Sequence, residues 1–110
     1  MEVIMLYRID PEKDLMFARE FLDKPLGSPS PGLSRVLNRM RYDPTGHQLF
    51  ILTKVPFKEF VLVEMPPERE KPLVYMEEFQ FSSIEEAEVE LFKMRWKALT
   101  GKDLEAQLSE

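Results

Sequence analysis

The stretch SSIEEAEVELFKMRWKALTG, residues 82–101, constrains the fold more than any other part of the chain. Ser82 with Glu85, or Ser83 with Glu86, makes a capping box that satisfies the free amides of a helix start. Acids crowd the first turns and cations the last, matching the helix dipole, and Gly101 supplies the left-handed stop. At helical spacing Ile84, Ala87, Leu91, Met94 and Ala98 form one apolar stripe, and Val89, Phe92, Trp96 and Leu99 form a second beside it. Together they cover roughly 220° of the circumference, more than one sheet face can shelter. The second stripe therefore needs another neighbour: a helix of the same chain or a separate protein.

The rest of the chain supplies a sheet and two more helices. EVIMLYR, residues 2–8, reads as a strand with both faces apolar. DPEKDLMFAREFLDKP follows as a helix capped by Asp10, with Pro11 at its first position and Leu15, Ala18 and Leu22 at helical spacing, ending before Pro25. LGSPSPG, at 26–32, carries several breakers and reads as an exposed connector, with two Ser-Pro steps at Ser28 and Ser30 that a proline-directed kinase would accept. LSRVLNRMR is a short second helix with Leu33, Val36, Leu37 and Met40 on one side. Asp43, Pro44 and Gly46 then have turn chemistry. QLFILTK, EFVLVEM and LVYMEEFQF are three strands that join most simply as an antiparallel meander. The expected architecture is α+β in the order β-α-α-β-β-β-α, a mainly antiparallel sheet with helices packed on one face. Residues 1–101 form a single domain, and 102–110 a tail, partly helical or disordered.

Composition narrows the function classes. A formal charge of −5 repels phosphate backbones and anionic lipid, which weighs against nucleic-acid and membrane partners. With no cysteine and one histidine there is no disulfide, no thiolate nucleophile and little with which to build a zinc or iron site, so neither metal nor cofactor is implied. The N-terminal MEVIMLYRID lacks a basic leader region, and no apolar run approaches a membrane span, so the chain reads as cytoplasmic and soluble.

Individual candidates are weak. His47 with Ser28, Ser30, Ser34 and Asp43 supplies the letters of a hydrolytic triad without any accompanying signature, and the plainer reading is a surface histidine. Asp10, Glu12 and Asp14 are spaced like the start of a calcium loop, but a helix start explains them. LTGKD lacks the spaced glycines of a phosphate loop and reads as a helix stop. Arg35, Arg39, Arg41, Tyr42 and His47 are the candidate contacts for a ligand or anion, although arginines near a helix C-terminus stabilise that helix unaided. Glu77 and Glu78 interrupt the last strand on opposite faces, and one of them is expected to meet Arg95, a cation lying in the apolar seam of the long helix.

Two function classes remain open. The favoured one is a non-catalytic interaction protein, an accessory or regulatory subunit or a self-associating homodimer. Its partner surface is Val89, Phe92, Trp96 and Leu99, with Leu104 and Leu108 of the tail beside it. The alternative is a small-molecule-binding domain or small enzyme with a pocket between sheet and helices, Tyr75, Tyr42, Arg41 or His47 at its mouth.

Overall fold

The structure is a computed structural model that describes residues 7–42, 48–68 and 70–109. Within these, the order is α1 (Leu15–Asp23), α2 (Pro31–Arg41), β1 (Gln48–Val55), β2 (Glu59–Met65), β3 (Val74–Phe81), α3 (Ile84–Thr100) and α4 (Leu104–Leu108). The chain is α+β, with the helices gathered around α3 and an antiparallel sheet ordered β1-β2-β3. The expected first strand lies outside the described residues except for Tyr7 and Arg8, and so does the turn at 43–46.

Alternation of apolar residues makes β2 the centre of the sheet. Val61 and Val63 point to one face and Phe60 and Leu62 to the other, and all four are buried. Leu62 sits between Ile51 and Met76, and Val63 between Phe50 and Tyr75. The register breaks between Val61 and Leu62, whose β3 partners are Gln80 and Met76, so Glu77, Glu78 and Phe79 form a bulge. Placing two acids in a bulge keeps them in solvent and twists the strand without breaking its apolar face. At the β1–β2 turn, Phe57 has a left-handed backbone (φ 63°) and is 95% exposed. Nothing among the described residues explains why a phenylalanine stands there.

Helix α3 lies across the sheet, touching all three strands, and also meets α2 and α4. Its N-cap is Ser83, whose side chain accepts from the Glu86 amide (3.2 Å), and Gly101 closes it at φ 76°. Of the two neighbours that the second stripe left open, the structure supplies the first. Phe92 stacks on Phe21 of α1 with ring centroids 4.3 Å apart, and Trp96 follows at 6.1 Å from Phe92. Phe92 is 2% exposed and Trp96 0%, while Val89 and Leu99 are half-buried against the same core. Removing an aromatic side chain from water contributes on the order of 2–3 kcal/mol, so this contact anchors the helical half.

Helix α4 completes the seal. Leu104 is buried in the same core and Leu108 packs on it. The indole Nε1 of Trp96 donates to Gln107 Oε1 (2.8 Å), and Gln107 Nε2 donates to the carbonyl of Pro11 (2.8 Å). Lys93 and Glu105 pair at 2.5 Å across α3 and α4. The tail residues thus turn inward, because Trp96 carries a polar N–H that needs a partner once buried.

Two helix starts differ from expectation. Helix α1 begins at Leu15 rather than after Asp10. Asp10 does cap a turn, its carboxylate accepting from the Glu12 and Lys13 amides (2.8 and 3.1 Å). Asp14, however, is buried and accepts from the Tyr7 hydroxyl (2.5 Å) and the Asp10 amide (2.9 Å), so its side chain is spent inward. Helix α2 begins at Pro31, inside the stretch expected to be a connector. Pro31 presets the first helical φ, and the Ser30 hydroxyl accepts from the Leu33 amide (3.2 Å), so the apparent breakers form a capped N-terminus.

Glu20 of α1 fastens the two helices together. Its carboxylate accepts from the Ser30 amide (2.8 Å) and hydroxyl (2.6 Å). Donation from that hydroxyl, and then from the amide, holds the Glu20 carboxyl below its usual 4.5. A lowered folded value means that the stabilisation is complete above the unfolded value and is lost as pH falls through the folded one. Glu20→Gln is therefore expected to melt below the wild type at neutral pH, with the gap closing as pH drops through the lowered value, below 4.5. Circular-dichroism melts across that range check it.

Gly32 permits the same junction. A Cβ there would lie 2.1 Å from the end of the Phe17 ring. Alanine is otherwise favoured over glycine in helices by about 1 kcal/mol. Overpacking reverses that sign: Gly32→Ala is expected to lose about 1–3 kcal/mol in urea denaturation, and Phe17→Leu in the same chain to recover part of it.

Candidate functional site

The candidate site lies where the C-terminal end of α2, the start of β1 and the later turns of α3 converge. The local sequence builds it directly. The 3.6-residue period that buries Met40 leaves Arg39 and Arg41 on either side of it, and the chain then leaves the helix at Tyr42. Between these elements is a cleft of about 600 Å³, whose polar lining is Arg39, Arg41, Tyr42, Gln48 and Arg95. Its apolar wall includes Leu49 and Phe50 from β1 and Met94, Ala98 and Leu99 from α3. A second cleft of about 490 Å³ adjoins it, sharing Arg41 and Arg95 and adding Glu88, Phe21 and Leu37.

The sequence candidates separate into two groups. Arg39, Arg41 and Tyr42 are brought together at the first cleft. Arg35 does not line it: its guanidinium sits 4.4 Å over the Tyr7 ring in a cation–π contact. Burial, and then the hydrogen bond to Asp14, push the Tyr7 phenol above its usual 10.0, while Arg35 opposes that shift. His47 lies outside the described residues. Val89, Phe92, Trp96 and Leu99 pack into the helical core, so α1 and α4 occupy the stripe that a partner would have used. Leu104 likewise faces its own core.

Arg95 is the member that sequence reasoning misplaced. It meets neither Glu77 nor Glu78, because the β3 bulge holds both acids out in solvent, where Glu77 pairs with Lys54 (3.6 Å) and with Gln80. Arg95 Nη2 instead donates to the Leu49 carbonyl (2.7 Å), tying α3 to β1. Burial lowers the guanidinium's pKa, the Glu88 carboxylate partly restores it, and the charge of Arg41 lowers it further. Arg39 donates to the carbonyl of Tyr42 (3.0 Å), closing the end of its own helix. A guanidinium has five N–H donors, and the bonds to carbonyls of described residues use one on each of these two arginines.

Among the described residues the cleft joins three guanidinium groups to apolar walls. Among the described residues, no three His, Cys, Asp or Glu side chains gather closely enough to hold a metal ion. No helix of the described residues is long and apolar enough to cross a membrane.

The chain matches the family model of the N,N-dimethylformamidase alpha subunit over residues 5–106. The chain belongs to that family. Comparison with curated proteins gives no match. A family of alpha subunits is one whose members work within a larger enzyme, and this agrees with the sequence reading at the level of a subunit. The match spans every described element through α3 and the start of α4, including the whole cleft.

Arg95→Met tests the energetics of the site. Burying a guanidinium is costly and its apolar replacement is often neutral or favourable, whereas methionine keeps the stem's packing. The substituted chain is expected to stay within about 1 kcal/mol of the wild type in urea denaturation. A loss of several kcal/mol would show that the Leu49 contact matters more to folding than the buried charge costs.

Proposed function

We propose that this chain is a non-catalytic alpha subunit of an amide hydrolase, binding and supporting a separate subunit that carries the hydrolysis of N,N-dimethylformamide. The observation that carries this reading is the family match across residues 5–106. The absence of a metal-binding cluster among the described residues is compatible with it. So is the placement of chemically active residue types: Ser30 caps α2, and the buried Asp14 is held by Tyr7 and the Asp10 amide.

The reading moves the partner surface away from α3. Register sets Gln48 opposite Met65, and Val74 next to Glu64, so the sheet end nearest the cleft carries Met65, Leu73, Val74 and Tyr75, all exposed. Apolar residues grouped at one end of a sheet, beside a polar cleft, have the make-up of an interface whose centre is apolar and whose rim is polar. A cytoplasmic setting goes with the proposal, and self-association through the same sheet end is the competing arrangement. A ligand-binding role draws on the 600 Å³ cleft and is the second reading.

Co-expression with the enzyme's other subunit tests it. The expected result is a complex of defined mass in light scattering, with amide hydrolysis absent from this chain alone. Hydrolysis by the isolated chain would overturn the non-catalytic reading, and a homodimer that ignores the other subunit would favour self-association. Within the complex, Val74→Lys, at a position 52% exposed, is expected to weaken association at least about tenfold. Met16→Lys, at an exposed position on α1, is expected to leave it unchanged.

A further inference from the structure

The distribution of charge at the cleft is at odds with the chain as a whole. The protein carries a formal charge of −5, yet among the described residues three arginines and no carboxylate line the larger cleft. Two of them use part of their donor capacity on backbone carbonyls, Arg39 on Tyr42 and Arg95 on Leu49, which fixes the guanidinium planes without neutralising them. Arg41 and Arg95 border both clefts, and among the described lining residues the one acid is Glu88, in the smaller of the two. Like charges held together at a partly desolvated wall raise the energy of the free protein, and an incoming anion relieves it. The planar forks select carboxylate or phosphate geometry.

The remaining walls decide which anion. Met94, Ala98, Leu99 and Phe50 are apolar, which a free phosphate or small acid would not use, and a volume of about 600 Å³ far exceeds a single carboxylate group. The cleft borders the same sheet end that exposes Met65 and Val74, since Gln48 both lines it and pairs with Met65. A carboxylate joined to apolar neighbours satisfies all of these surfaces at once.

We infer that the Arg39, Arg41 and Arg95 cleft receives an acidic side chain, flanked by apolar residues, from the enzyme's other subunit. This rests on the proposed subunit role and adds to it the chemistry of the contact. The arginines act as the specificity element of the interface, and the exposed sheet end supplies its apolar area. Association is accordingly salt-sensitive, because one part of it is a charge pair at the interface.

The test uses the full chain and the other subunit, with the dissociation constant measured by calorimetry at low and high salt. The variants are Arg41→Gln alone and Arg41→Gln with Arg95→Met; Arg41 is exposed, so the single variant keeps the test valid if the double one fails to fold. Circular dichroism and melting temperature establish folding. The expected result is roughly tenfold weaker binding for the single variant, up to about a hundredfold for the double, and a flatter salt dependence. Unchanged affinity in folded variants overturns this inference and leaves the subunit role standing. Failure of the wild-type chain to bind the other subunit overturns both. A third arm titrates sodium acetate into the isolated chain and follows backbone amide shifts. Saturable shifts at the cleft, combined with arginine variants that still bind the other subunit normally, would replace the inference with a site for free small carboxylates.

Discussion

The contact on which the helical half depends is the stack of Phe21, Phe92 and Trp96. Helix α3 has apolar surface on two sides, and a sheet can satisfy only one of them. The second is satisfied when α1 lays Phe21 flat on Phe92, and when α4 closes over Trp96 with Leu104 beside it. Burying the indole creates a requirement for its N–H, which Gln107 meets while also reaching Pro11. Packing and hydrogen bonding therefore agree on one arrangement, in which α3 is the shared wall between a sheet and a small helical core.

That arrangement frees the sheet end and the cleft for other work. With its aromatic stripe covered from within, α3 presents Met94, Arg95 and Ala98 to the cleft. Arg39 and Arg95 there are held by carbonyls of their own chain, which sets their orientation in the free protein. Preorganised donors lose less entropy on binding than free ones.

Much of the fold was legible in the sequence. The three strands are short apolar-rich runs bounded by turn residues, and the capping box at Ser83 with Gly101 at the far end fixes α3 within a residue. Local chemistry accounts for the errors. Pro31 and Gly32 look like breakers until Ser30 is seen to cap them, and Asp14 looks like part of a helix start until its carboxylate turns toward Tyr7. Amphipathic spacing showed that α3 needed a second neighbour but carries no information about which segment supplies it. Arg39, Arg41 and Tyr42 were visible as a group because they fall within four consecutive residues. Arg95 was not visible with them, since its place depends on the Leu49 carbonyl 46 residues away and on a bulge that removes the expected acids.

The position of the lone tryptophan has a practical corollary. Trp96 stands where α1, α3 and α4 meet and is sealed from water, whereas the strands lie on the other side of α3. Its ultraviolet emission is consequently a spectroscopic gauge of one half of the molecule. A red shift reports the helices coming apart, and an event confined to the strands leaves the colour of that light unaltered.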